Sequence, residues 1–383
     1  MYKVFKAHFE YLEDNRRSNS IQHAFFDILF ISVVTILSGG DSFEDMHHFS
    51  VSQEDWLKKF IKLENGAPSA DTFSRVLNNI SPDSFSRHFA KLFSDISKYS
   101  GLKVVNKHIA LDGKSVRGSR HKDENGKKTI THIVNALSTE YGLSLAQVKV
   151  KKEQYVNEVQ AILDIIDLLD TKGVMITLDG ISNGKIAKKI IDKKANYTMV
   201  VKENNAKLFN MIKDRFRYYA GKDYIKTFRE EDKYKNLIRE IHVLDIASNL
   251  PHNTHWNGAR SIIVYHHLTK DTNSLLNEKF YVSSKEMSPK EAYQYIRGHW
   301  GIENSLHWTL DVSFNEDKNR TKKGNAPAIL SGLRQIARNI VKMNTDKLPL
   351  SRKLKKAAWE PDYREKLITQ HITNWKIGNK EEN

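Results

Sequence analysis

The stretch between residues 101 and 201 constrains the fold most, because its apolar residues change period in a fixed order. Residues 108–112 (HIALD), 129–137 and 143–150 read as three strands separated by turn residues. Residues 156–170 set Val159, Ile162, Leu163, Ile166 and Leu169 on one helical face. A strand over 174–178, a helix over 185–194 and a strand over 197–201 follow.

Three meander strands, then helix, strand, helix, strand, is the element order of a mixed sheet of the ribonuclease H type, so an α/β fold is expected. The chain before it, residues 1–100, reads as an all-helical N-terminal module for DNA-end binding or dimerisation. Residues 24–37 form one apolar segment ended by Gly39-Gly40, Ser52 with Asp55, Ser69 and Ser81-Pro82 look like helix starts, and Phe85, Phe89, Leu92, Phe93 and Ile96 form a stripe. The ribonuclease H-like core is expected to begin over 101–215. A β-strand insertion over 216–285 follows, with strands at 237–245, 259–269 and 279–284. Closing helices over 286–345 and a charged tail over 346–383 complete the division.

Charge narrows the partner. The chain has 61 Lys+Arg against 46 Asp+Glu, a net +15, which favours a polyanion, nucleic acid before membrane. With no cysteine, disulfides, thiolate nucleophiles and cysteine-ligated zinc are excluded, in keeping with a reducing cytosol. The apolar run at 24–37 is too short to span a bilayer and contains Asp27, so a soluble, intracellular protein is expected.

The chemistry is expected from residues 288–320. Ser288, Pro289 and Glu291 open a helix with a capping box. His299, Glu303 and His307 lie four apart and so share one face, flanked by Trp300 and Trp308. Asp112 and Asp179 each end a predicted strand. Together with Glu303 they can converge on two Mg²⁺ (or Mn²⁺) ions, hard cations that take oxygen ligands. Two such ions about 3.5–4 Å apart promote in-line displacement at phosphorus. Lys114, Arg117 and Arg120 are expected to hold phosphates. His299 and His307 are read as partners of the ligands or as DNA contacts, and the two tryptophans as core. Residues 315–356 carry twelve Lys/Arg, among them Lys318, Arg320, Lys322, Lys323, Arg334, Arg338 and Lys353, against Glu316, Asp317 and Asp346, a surface suited to a DNA backbone. Asp311, Glu316 and Asp317 compete as ligands, and the last two are ranked as structural.

The strings HIALDGKSVRGS, VMITLDG, FYVSS and IRGHWGIENSLHWTLDVSFNEDKNRTKKGNAPAIL, with ENGAPSADTFSRVL upstream, resemble the ISAs-type insertion-sequence transposases. That family includes the H-repeat-associated proteins and belongs to the DDE superfamily. The resemblance runs from the helical module to about Lys342. It implies that Asp112, Asp179 and Glu303 are the catalytic, metal-binding triad, and that Lys202 belongs to the DNA-contacting set. It further implies cutting and joining at transposon ends, a homodimer on DNA, and a place in the bacterial cytosol or nucleoid. A hydrolysis-only nuclease and a catalytically inactive DNA-binding derivative are the alternatives. The chain departs from the family pattern at Ala70, Gly180, Gly184, the Glu203-Asn204-Asn205 run and His299, none of them a metal ligand.

Overall fold

The computed structural model describes residues 2–14, 16, 21–99, 107–151, 155–181, 183–245, 256, 258–322 and 324–369. Six helices come first: α1 (Tyr2–Phe9), α2 (Phe25–Leu37), α3 (Phe43–Ser52), α4 (Glu54–Leu57), α5 (Ala70–Asn79) and α6 (Pro82–Tyr99). α2 is apolar almost all round and is therefore buried on nearly every side. Gly39, with φ +89°, ends its terminal turn. Ser69 caps α5 through the Thr72 amide, as the sequence suggests. Ser52, by contrast, closes α3, and a full capping box forms instead at Ser42 and Asp45.

The sheet follows: β1 (His108–Lys122), β2 (Lys128–Ser138), β3 (Leu143–Lys149), α7 (Tyr155–Leu168), β4 (Met175–Leu178), α8 (Gly184–Asp192) and β5 (Asn196–Val201). β1–β2–β3 run antiparallel, while β4 and β5 lie parallel to β1 and to each other. This is the ribonuclease H-like arrangement. α9 (Ala206–Tyr219) then leads into β6 (Ile225–Glu231), β7 (Ile238–Asp245), β8 (Ser261–Leu268) and β9 (Leu275–Ser283). The inserted strands do not form a separate body. β9 pairs with β5, and the sheet continues as one of nine strands in the order β3-β2-β1-β4-β5-β9-β8-β7-β6.

Two readings of the sequence are corrected here. β1 does not stop at Asp112; it runs 15 residues, and Asp112 pairs with Asn135 within it. The segment predicted to open at Ser288 is not one regular helix either. α10 (Pro289–His299) gives way at Trp300 to a π-helical turn over Ile302–His307 and then to α11 (Trp308–Ser313). Ser288 does cap α10 through the Glu291 amide, but the Glu291 carboxylate turns to Lys285 at 2.5 Å.

α12 (Ala326–Met343), α13 (Leu350–Trp359) and α14 (Pro361–Thr369) close the described chain. Within the segment expected as a charged tail, α13 and α14 pack into the helical N-terminal region, whose core they and α12 complete, and residues 370–383 lie outside the described residues. Arg364 shows how: its guanidinium lies 4.3 Å from the Trp56 ring centroid and donates to Gln53 Oε1 at 2.6 Å. No helix among the described residues is long and apolar enough to cross a membrane.

Candidate active site

Backbone register brings two of the three carboxylates together. β1 and β4 pair in parallel with Ala110 opposite Thr177 and Leu111 opposite Leu178. Extending that register by one residue sets Asp112 level with Asp179, the residue that follows β4, on neighbouring strands about 4.8 Å apart. Glu303 lies on the π-helical turn and is exposed, and its charge is felt at Asp112. Burial, joined by the charges of Glu303, Asp179 and Glu158, pushes the Asp112 carboxyl up to about 7 against one opposing hydrogen bond from the Gly113 amide. The three do not bring oxygens within 4.8 Å of one another; among the described residues the group that does is Glu240, His242 and His266, in the inserted strands.

The donor set suits hard cations. All three candidates offer oxygen only, and Asp179 Oδ1 is buried without a hydrogen-bond partner. Lys279 donates to Asp179 Oδ2 at 3.3 Å, and Lys202 stands 3.6 Å from Oδ1. His307 Nδ1 is 3.7 Å from Asp112 Oδ2, and its Nε2 meets Asn135 Nδ2 at 3.3 Å. Gln335 of α12 donates to Asn135 Oδ1 at 2.9 Å, so a chain of polar contacts runs from α12 to the side of Asp112. Sequence reasoning missed Asn135 and Gln335. The available signal was Asn135 itself, a polar residue within the apolar run of β2.

Known proteins give the same frame. A family model described as "Transposase DDE domain" matches residues 105–340. A second, "DDE_Tnp_1-associated", matches residues 6–93. The chain is 33% identical over 367 residues to "Putative transposase YncI" of Escherichia coli O157:H7, covering 93% of this chain and 92% of the relative. It is 31% identical over 378 residues to "H repeat-associated putative transposase YhhI" of Escherichia coli strain K12, covering 94% and 96%. This chain belongs to the DDE-domain transposases.

In this transposase several residues expected at DNA are committed elsewhere. Lys114 is 8% exposed and is held by Asp311 Oδ1 at 2.5 Å, by Glu316 Oε2 at 2.7 Å and by Asp317 at 3.6 Å. Burial pulls its pKa down, but Glu316 and the Asp311 hydrogen bond outweigh that and raise it. Lys114 therefore ties β1 to the segment after α11, and Glu316 and Asp317 act structurally. Close approach seals the join, since a Cβ on Gly118 would lie 1.9 Å from the Asn319 carbonyl oxygen.

His299 is buried as well. Thr177 Oγ1 bridges His299 Nδ1 and His108 Nε2, each at 2.8 Å, and burial holds the His299 pKa down at about 4. His307 is held at about 3 by burial, with Lys114 and His299 adding to it, so both rings are neutral near pH 7. The π-helical turn breaks the shared face predicted for His299, Glu303 and His307, because the 3.6-residue period does not continue through it. Arg334, Arg338 and Lys353 are buried rather than lining a surface. Arg117, Arg120, Lys202, Lys318, Arg320 and Lys322 are exposed, and Lys323 lies outside the described residues. Trp300 packs beside Tyr265 and His267, as core, whereas Trp308 is 58% exposed, against expectation.

Proposed function

We propose that the protein is an active DNA transposase that cuts the ends of its element and joins the freed 3′-hydroxyl to target DNA. Asp112, Asp179 and Glu303 would hold two Mg²⁺ or Mn²⁺ ions. Bound there, the ions supply Lewis acidity at the scissile phosphate and at the attacking oxygen. Neutral His307 flanks Asp112 without adding positive charge, while Lys202 and Lys279 offset the charge on Asp179 and face the incoming phosphate. Arg117, Arg120, Lys318, Arg320, Lys322 and Lys323 would follow the DNA backbone, and two chains would bring two ends together. The observation that carries this reading is the parallel register of β1 and β4, which extended by one residue sets Asp112 level with Asp179, together with the charges of Glu303 and Asp179 acting on the Asp112 carboxyl.

The test uses the full chain and duplexes from the DNA flanking its reading frame. Asp112→Asn, Asp179→Asn and Glu303→Gln should each lower Mg²⁺-dependent strand cleavage at least about 10³-fold, roughly 4 kcal/mol of transition-state stabilisation, while leaving DNA binding nearly intact. Wild-type cleavage by Asp112→Asn would sink the assignment. Cleavage without joining of a pre-cut end would make the protein a nuclease. Binding with no metal-dependent product would make it an inactive derivative.

A further inference from the structure

The inserted strands carry a second cluster, on the sheet face covered by α9. Glu240 and His242 project from the same side of β7, and His266 stands across from Glu240 on β8. His242 Nε2 lies 3.2 Å from His266 Nδ1 and 3.5 Å from Glu240 Oε2, and the three ligand atoms all fall within 4.8 Å of one another. Ligands about 2.0–2.1 Å from a tetrahedral ion are separated by about 3.3–3.4 Å, close to the two spacings measured here.

What distinguishes this cluster from an ordinary cross-strand ladder is the far side of each ligand. His266 Nε2 meets Glu278 Oε1 on β9 at 2.9 Å. His242 Nδ1 meets Thr227 Oγ1 on β6 at 2.9 Å. Arg229 donates to Glu240 Oε1 at 2.8 Å, leaving Oε2 turned to His242. Each of the three side chains is thus anchored by its second polar atom to a different neighbour, leaving the first aimed at a common point. Anchoring of that kind fixes the orientation of metal-ligating histidines. The Phe216 ring of α9 packs 5.5 Å from His242 and 6.0 Å from His266, shielding the point from bulk water.

We propose that Glu240, His242 and His266 form a binding site for a borderline divalent cation of the zinc type, separate from the triad and different in chemistry. Two imidazoles and one carboxylate favour zinc over magnesium, whereas an all-carboxylate set does the reverse. Three protein ligands leave a fourth position for water. The ion would staple β7 to β8 beneath α9. It would also steady β9, where Glu278 backs His266 and the next residue, Lys279, reaches Asp179 from the opposite face.

The experiment is zinc titration of the full, EDTA-treated chain by calorimetry, with Co²⁺ absorption to report coordination number. One Zn²⁺ per chain with micromolar or tighter affinity, unaffected by millimolar Mg²⁺, is expected, together with a four-coordinate Co²⁺ spectrum. His242→Gln and His266→Gln should each weaken it at least 100-fold. The Asp112→Asn/Glu303→Gln pair should leave it unchanged, which keeps this result distinct from the fate of the triad. Glu278→Gln, which removes no ligand, should weaken zinc several-fold and covers the case in which a histidine variant fails to fold. Absence of stoichiometric zinc, or zinc that survives both histidine substitutions, overturns the proposal.

Discussion

Replacing Lys114 by Met tests whether this residue belongs to the scaffold or to the DNA. Its ammonium is enclosed by three carboxylates, and Glu316, with 0% exposure, already has one oxygen, Oε1, without a partner. Removing Lys114 takes from that buried carboxylate its hydrogen-bonded cation and leaves it only the nearby Arg334 charge, a loss of about 3–5 kcal/mol. Unfolding entropy is about 2.1 cal/mol/K per residue, which over 383 residues comes to roughly 0.8 kcal/mol/K. If the chain melts as one unit, the expected fall in Tm is therefore about 4–6 °C. Differential scanning calorimetry measures it, and the double variant Lys114→Met/Glu316→Gln should recover part of it, because the orphaned charge is gone. A DNA-contacting lysine behaves in the opposite way. Its loss leaves Tm unchanged and makes the slope of log K against log salt shallower by about 0.9. Lys114→Met with an unaltered melt and a shallower salt slope would refute the structural role assigned here.

Other perturbations separate surface from core. Asp27, in the first turn of the buried α2, has its carboxyl pushed up to about 6, mainly by burial. A raised carboxylate pKa means the folded state resists ionisation, so Asp27→Asn should change nothing below about pH 4. Above pH 6 it should stabilise, by on the order of 1 kcal/mol after screening; chemical denaturation at pH 4 and pH 8 reads the difference, and equal effects at both would contradict it. Trp308→Ala should leave stability within about 0.5 kcal/mol, since the ring is exposed, yet weaken binding to ends with unpaired bases by about 1–3 kcal/mol; loss of fold instead would mark it as core. Joint replacement of Lys318, Arg320 and Lys322 by Ala should reduce the salt slope of DNA binding by about 2–3, equally for specific and unrelated duplexes. A slope that stays put would remove this segment from the interface.

Much of the frame could be read in advance because each signal was local. β4 and β5 are short apolar runs, α6 and α8 carry clear 3.6-residue stripes, and Ser69 and Ser288 cap through an amide three residues on. β1 beyond Asp112 was hidden because Gly113, Ser115, Gly118 and Ser119 have turn propensity. Here glycine serves close approach, with a Cβ at Gly113 meeting His132 Nε2 at 2.7 Å and one at Gly118 meeting Asn319. α9 was hidden for another reason: Leu208 and Ile212 are the only residues it fully buries. The π-helical turn left no mark in the residue spacing, so an arithmetic of fours placed three side chains on a face they do not share.

The same distinction governs the electrostatics. Composition counts every cation as available, whereas pairing across the chain decides which ones reach solvent. Lys114 finds Asp311 and Glu316 some two hundred residues downstream, and Arg338 turns inward to the carbonyls of Gly142 and Ser305. Arg334, Arg338, Lys353 and Lys114 are therefore spent on the core, and the net +15 overstates the charge facing DNA through any one face. Among the expected DNA contacts, those that stay exposed are Lys202 beside Asp179, Arg117 and Arg120 on β1, and Lys318, Arg320 and Lys322 after α11. Gly118 and Asn319 bring β1 and the segment after α11 into contact, so all of these but Lys202 lie on the strand that carries Asp112 and the segment docked against it. A backbone track placed there needs no long basic surface, because contact between two segments joins two short basic runs.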